Sequence, residues 1–279
     1  MVVSFYNLGN TCYVNSILQC FIYNPYFQKI IKNYNTENFL DKELKLIIEK
    51  SEKEEHTVYN LINTIVYLNK HTQFVKFQQH DSHEFLTYFL DMLITNYKIN
   101  DISPFMEIYY GKLETTIKCF SCKNVNKVYE DFNSINLNFD NTDNLETSFC
   151  NYLNFEIHDD PSNLYQCDCC KNKTITERKI NLYNLPKQLI IVLKRYTDET
   201  INKLIIYPYK LHIKESSTSN INEYQLVSLV DHYGDSFNGH YRANVNLNNQ
   251  WFIIDDQAIY YNKIYSSTPS NYILFYSLV

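Results

Sequence analysis

The chain has 279 residues and a formal net charge of -6 at pH 7, with 25 Lys and Arg against 31 Asp and Glu. This acidic balance leaves no basic surface of the kind that nucleic acid requires, so we expect no nucleic-acid partner. Hydrophobic residues make up 45% of the chain, including 17 Phe and 26 Tyr, whereas Gly and Pro number only 4 and 6. This composition predicts a large core in one large or two medium domains and excludes long flexible linkers.

Targeting and membrane signals are not evident in the sequence. The amino-terminal residues contain neither a basic segment nor a long apolar one, which argues against a signal peptide. The longest aliphatic run, LIIVL at 189–193, is far shorter than the roughly 20 residues that cross a bilayer. We therefore expect a soluble intracellular monomer, cytoplasmic or nuclear, with no membrane partner. In that setting 8 cysteines favour metal binding or catalysis over a disulfide framework.

The predicted elements change character along the chain. Apolar residues recur with helical spacing at 14–22, 58–65 and 85–94, and the last of these is the clearest amphipathic stripe. From about Pro104 the sequence turns to short alternating segments, and strand-like runs follow Leu185. Helices first and strands later indicate an α+β fold, and no internal repeat is visible.

Cys12 stands directly before the first predicted helix, in the stretch NLGNTCYVNSILQC. The positive end of a helix dipole and the unpaired N–H groups there lower the pKa of a thiol and favour the nucleophilic thiolate. A buried structural thiol can occupy the same position, and Cys20 on the same helix illustrates that simpler case. Asn10 and Thr11 are interpreted as helix-capping residues. The position of Cys12 alone leaves both interpretations open.

His240 is the candidate base, because a nucleophilic thiol needs a base and the base needs an orienting acceptor. His240 follows Gly239 at the start of a predicted strand, where glycine permits close backbone approach at the edge of a pocket. Asp255 and Asp256 end a later apolar strand, WFIIDD. Strand alternation directs these two carboxylates to opposite faces, so only one of them easily faces His240. An ordinary turn after the strand is the alternative explanation for the two acids.

Four sequence blocks, in order from residue 7 to about 260, resemble the ubiquitin-specific proteases. NLGNTCYVNSILQC is similar to their cysteine box, and QQHDSHEFLTYFLDML is similar to their glutamine–aspartate–glutamate motif. INLYNLPKQLIIVLKRY is similar to a strand motif in which Tyr196 replaces the usual Phe, and GHYRANV with WFIIDDQAI is similar to their histidine box. The resemblance implies one papain-like α+β catalytic domain over 1–279. Its parts would be a thumb at about 1–104, zinc-bearing fingers at about 105–180 and a palm at about 181–279.

The resemblance also implies catalytic roles. Cys12 would be the nucleophile, His240 the general base and then acid, and Asp255 the residue that orients the imidazole. Asn7 matches the position whose side-chain amide stabilises the oxyanion, with a turn residue as the alternative. Asp256 is a candidate for assistance through a water or on the oxyanion side.

The substrate implied by the resemblance is ubiquitin. The reaction would be thiol hydrolysis of the (iso)peptide bond after its last glycine, through an acyl-enzyme, with ubiquitin and ubiquitinated proteins as partners. Asp81 and Glu84 either cap the helix that follows, as Asp-x-x-Glu before an apolar run, or pair with arginines of the ubiquitin tail. Gly239 and the loop 233–238 are expected to wall the cleft for that tail. The alternatives are a protease for another ubiquitin-like modifier and a non-catalytic pseudoenzyme that binds ubiquitin.

Two C-x-x-C pairs, in CFSC and CDCC, form a candidate metal site. Two such pairs can close one tetrahedral zinc site, and the resemblance implies one structural zinc ion in the fingers. Cys169 is left out because adjacent cysteines rarely both fit one tetrahedron, and His158 is a weaker candidate ligand. Four reduced thiols at a site that has lost its metal are the alternative. The expected ligands are Cys119, Cys122, Cys167 and Cys170.

Overall fold

The computed structural model describes residues 2–34, 38–53, 57–71, 74, 78–98, 102–195, 202–235, 238–262 and 266–279. Tyr196, and residues 236 and 237 of the loop expected to wall the cleft, lie outside these ranges.

Helices occupy most of the first 110 residues, as the sequence predicts. The predicted helices at 14–22 and 85–94 are confirmed. The predicted helix from Val58 is wrong at its start, because Thr57–Tyr59 is a strand and the helix begins at Ile62. Among the described helices, none is long and apolar enough to cross a membrane. The helices are α1 (Cys12–Ile22), α2 (Pro25–Asn33), α3 (Phe39–Ser51), α4 (Ile62–His71), α5 (Ser82–Asn96), α6 (Pro104–Tyr109) and α7 (Leu145–Tyr152).

Strands dominate the remainder of the chain, which confirms the α+β fold. The strands are β1 (Val3–Phe5), β2 (Thr57–Tyr59), β3 (Gly111–Cys119), β4 (Val125–Phe132), β5 (Ile135–Leu137), β6 (Phe155–His158), β7 (Tyr165–Gln166), β8 (Lys173–Thr174), β9 (Thr176–Asn184), β10 (Gln188–Leu193), β11 (Lys210–Lys214), β12 (Ile221–Gly234), β13 (Gly239–Leu247), β14 (Gln250–Asp255), β15 (Ala258–Asn262) and β16 (Asn271–Leu278).

The large sheet has eight strands in the order β15-β14-β13-β12-β16-β10-β5, with β11 paired to β12. Its neighbours are antiparallel except for β10 and β5, which are parallel. β5 belongs to this sheet although it falls within the range 105–180 that was expected to form the fingers. The range expected to form the fingers therefore also contains a strand of the large sheet.

Both faces of the large sheet are covered, which explains the unbroken apolar run LIIVL at 189–193 in β10. Ile190 and Val192 pack in one core with α1 and α5. Leu189, Ile191 and Leu193 pack in a second core with α7 on the opposite face. Every residue of α1 is buried, so the position of its first residue is fixed relative to the sheet.

A second sheet has four strands in the order β4-β3-β9-β6. The small hairpin β7-β8 adjoins it, because the hydroxyls of Ser121 and Thr174 are hydrogen-bonded at 2.8 Å. This region carries both C-x-x-C pairs.

Candidate active site

Cys12 is the first residue of α1 and is buried, with 4% of its surface exposed. Thr11 occupies the N-cap position, but its hydroxyl accepts from the Leu8 N–H at 3.0 Å and makes no capping bond to the helix. Asn10 has φ +56°, in the left-handed region that Asn tolerates better than most residues. Thr11 is therefore the N-cap residue, as expected, but without a side-chain capping bond, and Asn10 lies in the turn before it. The Thr11 side chain leaves the N–H groups of the first helical turn beside Cys12 unengaged.

Asn7 is fixed at both ends of its side-chain amide. Its Oδ1 accepts from the backbone N–H groups of Gly9 at 3.0 Å and Thr11 at 3.3 Å. Its Nδ2 donates to Asp256 Oδ2 at 2.8 Å. The Asn7 side chain thus holds the turn before α1, which agrees with its interpretation as a turn residue. One of the two hydrogens on Nδ2 is used in the bond to Asp256, and the other remains for a further acceptor.

His240 and Asp255 meet across two antiparallel strands of the large sheet, with His240 second in β13 and Asp255 last in β14. His240 Nε2 lies 2.5 Å from Asp255 Oδ1. The pKa of His240 is raised from 6.5 to about 9, chiefly by its hydrogen bond with Cys12 and also by Asp255, while burial opposes the rise. The structure therefore brings together the three residues that the sequence singled out, with the imidazole between the thiol and the carboxylate.

Asp256 lies in the turn after β14 with φ +50°, and one of its carboxylate oxygens lies within 4.8 Å of a ring nitrogen of His240. Its Oδ2 accepts from Asn7, and its Oδ1 accepts from Asn15 Nδ2 at 2.7 Å. Its backbone carbonyl accepts from the Phe5 N–H at 3.1 Å. Asp256 thus joins the large sheet to the segment that carries Asn7 and to helix α1.

Asp81 caps α5, where its Oδ1 accepts from the N–H groups of His83 at 2.8 Å and Glu84 at 2.9 Å. Its Oδ2 accepts from the hydroxyls of Tyr272 at 2.9 Å and Tyr241 at 3.3 Å, both on the large sheet. Glu84 lies exposed in the first turn of the same helix. Asp81 therefore performs the capping role that the sequence left open and also tethers the helix to the sheet.

A cleft of about 340 Å³ lies beside Cys12. Gly239 is on its wall, as expected, and its N–H donates to Gln79 Oε1 at 2.9 Å. His232, also on the wall, is buried, and that burial lowers its pKa. The lining residues are Cys12, Tyr13, Gln79, His80, Asp81, His232, Asp235, Gly239, Tyr241 and Tyr272.

Sequence reasoning missed six residues of this cleft. Four of them stand inside blocks that carry the resemblance, so the blocks themselves were the signal for Tyr13, Gln79, His80 and Tyr241. His232 lies eight positions before His240 on the strand that pairs with β13, and two adjacent strand-like runs in the sequence were the signal available for it. Tyr272 has no distinguishing pattern in a chain with 26 tyrosines.

The four predicted metal ligands converge in two turns of the same geometry. In the first turn Cys119 N–H donates to Asn124 O and Cys119 O accepts from Lys123 N–H, at 2.9 and 3.0 Å. In the second turn Cys167 makes the equivalent bonds to Asn172 and Lys171, at 3.0 and 2.9 Å. Both lysines have positive φ, +63° and +58°. The two turns share the pattern C-x-x-C-K-N, a short internal repeat that sequence inspection overlooked.

The sulfur positions fit one tetrahedral ion. All four Sγ atoms lie within 4.8 Å of one another, with 4.0 Å between Cys119 and Cys170 and 3.7 Å between Cys122 and Cys167. Thiolates at about 2.3 Å from a zinc ion would lie about 3.8 Å apart. The Cys122 N–H donates to Cys119 Sγ at 3.4 Å, and this bond lowers the pKa of Cys119 to about 6. The cluster is therefore compatible with zinc.

The remaining metal candidates do not join this cluster. Cys169 is exposed and outside it, as expected. His158 is not among the clustered groups and lies at the end of the edge strand β6, with Glu156 at 3.4 Å from its Nε2. The weaker expectation that His158 contributes a ligand is therefore wrong for the described structure.

An α+β fold with a thiol at a helix start and a histidine–aspartate pair on the adjoining sheet is the arrangement typical of papain-like cysteine hydrolases. Comparison with known families narrows this class. The chain belongs to the ubiquitin carboxyl-terminal hydrolase family, whose characteristic sequence matches residues 3–276. The resemblance to the ubiquitin-specific proteases is confirmed.

Individual relatives agree with this assignment. Ubiquitin carboxyl-terminal hydrolase 26 of Oryza sativa subsp. japonica is 30% identical over 91% of this chain, and ubiquitin carboxyl-terminal hydrolase 36 of Drosophila ananassae is 27% identical over 98%. The chain spans only 25% and 28% of the length of these two proteins. The fold is similar to that of one chain in two structures of the SAGA DUB module, which contains Ubp8, Sgf11, Sus1 and Sgf73. One structure has monoubiquitin bound and the other has ubiquitin aldehyde bound. Those two matches have TM-scores of 0.82 and 0.81 at 22% identity and cover 99% of this chain and 69% of the matched chain.

Proposed function

We propose that this chain is a cysteine-type deubiquitinase that hydrolyses the (iso)peptide bond after the C-terminal glycine of ubiquitin. The observation that carries the proposal is the imidazole of His240 between Cys12 and Asp255. Family membership supports ubiquitin as the partner, as do the structures of the Ubp8 module with ubiquitin bound. Ubiquitin and ubiquitinated proteins are then the macromolecular substrates.

The proposed reaction begins with Cys12. Its thiol proton passes to His240, and the thiolate attacks the carbonyl carbon of the last ubiquitin glycine. The tetrahedral intermediate collapses to a thioester as His240 returns the proton to the leaving amine. Water, deprotonated by the same imidazole, then attacks the thioester. The C–S bond breaks, the ubiquitin carboxylate is released, and the Cys12 thiolate takes the proton back from His240. Asp255 keeps the imidazole in the orientation and tautomer that both steps need.

Asn7 is the proposed donor to the oxyanion. Its Oδ1 and one side of its Nδ2 are held by Gly9, Thr11 and Asp256, so the amide is already oriented before substrate binds. The second amide hydrogen would donate to the developing oxyanion together with backbone N–H groups at the start of α1. In this proposal Asp256 positions Asn7 and touches neither substrate nor His240.

The tail of ubiquitin would lie in the cleft beside Cys12. Gly239 lies on the wall, and Asp81 brings negative charge to the lining. Asp81, and Glu84 on the exposed first turn of α5, are the proposed partners of tail arginines, since carboxylates fix the register of a guanidinium through charge-assisted bonds. The capping bonds of Asp81 leave its charge intact, so capping and tail binding are compatible.

Cys119, Cys122, Cys167 and Cys170 would hold one structural zinc ion. When bound, zinc would crosslink the turn after β3 to the β7-β8 hairpin and so stiffen the second sheet. No step of the reaction involves this site.

A ubiquitin probe with a thiol-reactive C-terminus tests the proposal, because it requires both a nucleophile and recognition of ubiquitin. We expect wild-type protein to be captured at Cys12 and the Cys12→Ala protein to bind ubiquitin by calorimetry without capture or turnover. His240→Ala should lose nearly as much activity, since members of a triad act as a unit. Turnover by Cys12→Ala would overturn the nucleophile assignment.

Matched probes made from other ubiquitin-like modifiers extend the same experiment. If one of these probes is captured in preference to the ubiquitin probe, the thiol chemistry stands and the substrate is that other modifier. Binding of ubiquitin without any capture or cleavage would instead identify a pseudoenzyme.

A further inference from the structure

The two neighbours of His240 in the chain are both held from the loop before α5. The Gly239 N–H donates to Gln79 Oε1 at 2.9 Å, and the Tyr241 hydroxyl donates to Asp81 Oδ2 at 3.3 Å. Each of these bonds joins residues 160 positions apart in the chain. The residues on both sides of His240 are therefore hydrogen-bonded to Gln79 and Asp81, which line the opposite wall of the cleft.

The peptide of Gly239 is confined from a second direction by His232. A Cβ at Gly239 would lie 1.9 Å from His232 Nε2, so the imidazole fills the space that a side chain would need. The same imidazole stacks on Tyr241, with ring centroids 4.2 Å apart and planes inclined by 17°. The His232 ring thus lies against Gly239 and the side-chain ring of Tyr241, the two chain neighbours of His240, and the Gln79 amide holds the N–H of Gly239.

We propose that Gln79 is a positioning residue, whose Oε1 fixes the peptide before His240 and thereby holds the imidazole in line with Cys12. An amide suits this position because it accepts a hydrogen bond without adding negative charge beside the thiol. Gln79 is exposed and lines the cleft, so its removal changes the alignment of the site more than the apolar core. The inference rests on the proposed function only for its substrate assay.

Gln79→Met tests this role, because methionine keeps the length of the side chain and removes the acceptor. Gln78→Met is the matched control, since Gln78 is also exposed and does not line the cleft. With a fluorogenic ubiquitin substrate we expect Gln79→Met to lower kcat about 10- to 100-fold, because a small misplacement of a catalytic group costs rates of this order. KM should stay within about twofold of wild type, since a group that acts only in the transition state leaves ground-state binding unchanged.

A second readout does not involve ubiquitin. The rate of Cys12 alkylation by iodoacetamide is followed against pH by mass spectrometry of the Cys12 peptide. In wild type the profile should reflect the hydrogen bond between His240 and the Cys12 thiol. In Gln79→Met the profile should differ from that of wild type, because the imidazole is no longer held in line with the thiol, although Cys12, Asp255 and Asp256 are unchanged. The melting temperature should stay that of wild type.

The outcomes separate this inference from the proposed function. If Gln79→Met matches Gln78→Met in kcat and in the alkylation profile, the positioning role is overturned. If wild type does not cleave ubiquitin but the alkylation profile still shifts in Gln79→Met, the proposed function fails and the positioning role stands. Should Gln79→Met melt early, Gln79→Asn provides the test with the amide retained and one methylene removed. A folded Gln79→Asn protein with wild-type kcat and alkylation would overturn the role as well.

Discussion

Replacing Asp256 by asparagine tests whether this carboxylate acts through Asn7. Asp256 has φ +50°, and asparagine tolerates that conformation, so the substitution removes the charge without straining the backbone. The carboxylate now accepts from two amides, Asn7 at 2.8 Å and Asn15 at 2.7 Å. An asparagine at 256 offers one acceptor oxygen and one NH₂ group, so it satisfies only one of these donors.

Burial decides which donor keeps its partner. Asn15 is only 3% exposed, whereas Asn7 is exposed and its amide can turn to water. Leaving a buried donor unpaired costs about 1–3 kcal/mol, so the new side-chain oxygen should turn to Asn15. Asn7 then loses a charge-assisted bond worth about 1.5–3 kcal/mol, which corresponds to a fall in kcat of about 10- to 150-fold if that bond holds the oxyanion donor in place. The unfolding midpoint should change little.

A double-mutant cycle with Asn7→Ala supplies the control. Asn7→Ala alone should lower kcat by the equivalent of about 2.7–4 kcal/mol, as expected for loss of one oxyanion donor. Adding Asp256→Asn to that variant should then have almost no further effect, because the residue through which Asp256 acts is gone. Steady-state kinetics on a fluorogenic ubiquitin substrate give all four corners of the cycle. Strictly additive losses would refute the proposal that Asp256 acts through Asn7.

Three further predictions concern pH, metal and the acids at the start of α5. The pKa of His240 is raised from 6.5 to about 9, so its contribution to stability is fully present below pH 6.5 and is lost as pH rises to about 9. Wild type should therefore melt above His240→Ala at pH 6, and scanning calorimetry should show that difference shrinking by pH 9; a constant difference would contradict the raised pKa. Elemental analysis should find about one equivalent of zinc in wild type. The metal should be lost in Cys170→Ser, which should also melt earlier, and retained in the adjacent control Cys169→Ser. Equal metal content in the two variants would contradict the predicted ligand set. Glu84→Gln should leave the melting temperature unchanged and lower kcat/KM about 10- to 150-fold if its charge binds a tail arginine. Asp81→Asn keeps the cap, since Asn caps about as well as Asp, but it loses the acceptor of the Tyr241 and Tyr272 hydroxyls, so its lower kcat/KM would reflect both this tether and the tail. Unchanged kcat/KM in both variants would contradict tail binding by these acids.

The sequence was informative wherever a feature is local or carried by a motif. The helical stripes at 14–22 and 85–94 follow from periodicity, and the strand-like runs after Leu185 include the residues of β10. Cys12, His240 and Asp255 were found because the resemblance joins three distant blocks that periodicity alone would leave unrelated. Val58 was assigned to a helix because its spacing suits one, but pairing of β2 with β1 overrides local propensity there.

The features that sequence could not provide are long-range polar contacts. Asp81 has the pattern of a helix cap, and nothing near it indicates that its second oxygen binds Tyr272, 191 positions away. The C-x-x-C-K-N repeat was present in the sequence, but its turns place lysine at positive φ. Glycine and asparagine are the usual residues at positive φ, so lysine gave no signal for such a turn.

Polar contacts between the helices and the large sheet lie on both sides of the Cys12–His240 pair. On one side Asp256 of the sheet accepts from Asn7 and Asn15, and on the other Asp81 accepts from Tyr241 and Tyr272 while Gln79 accepts from Gly239. A typical hydrogen bond contributes only about 0.5–1.5 kcal/mol net, whereas the apolar core between α1, α5 and the sheet holds the two layers together through many buried side chains. Loss of one such bond should therefore leave the fold intact and release the alignment of thiol and imidazole. Because the core tolerates this loss and the chemistry does not, substitutions along these contacts should lower kcat well before they lower the melting temperature.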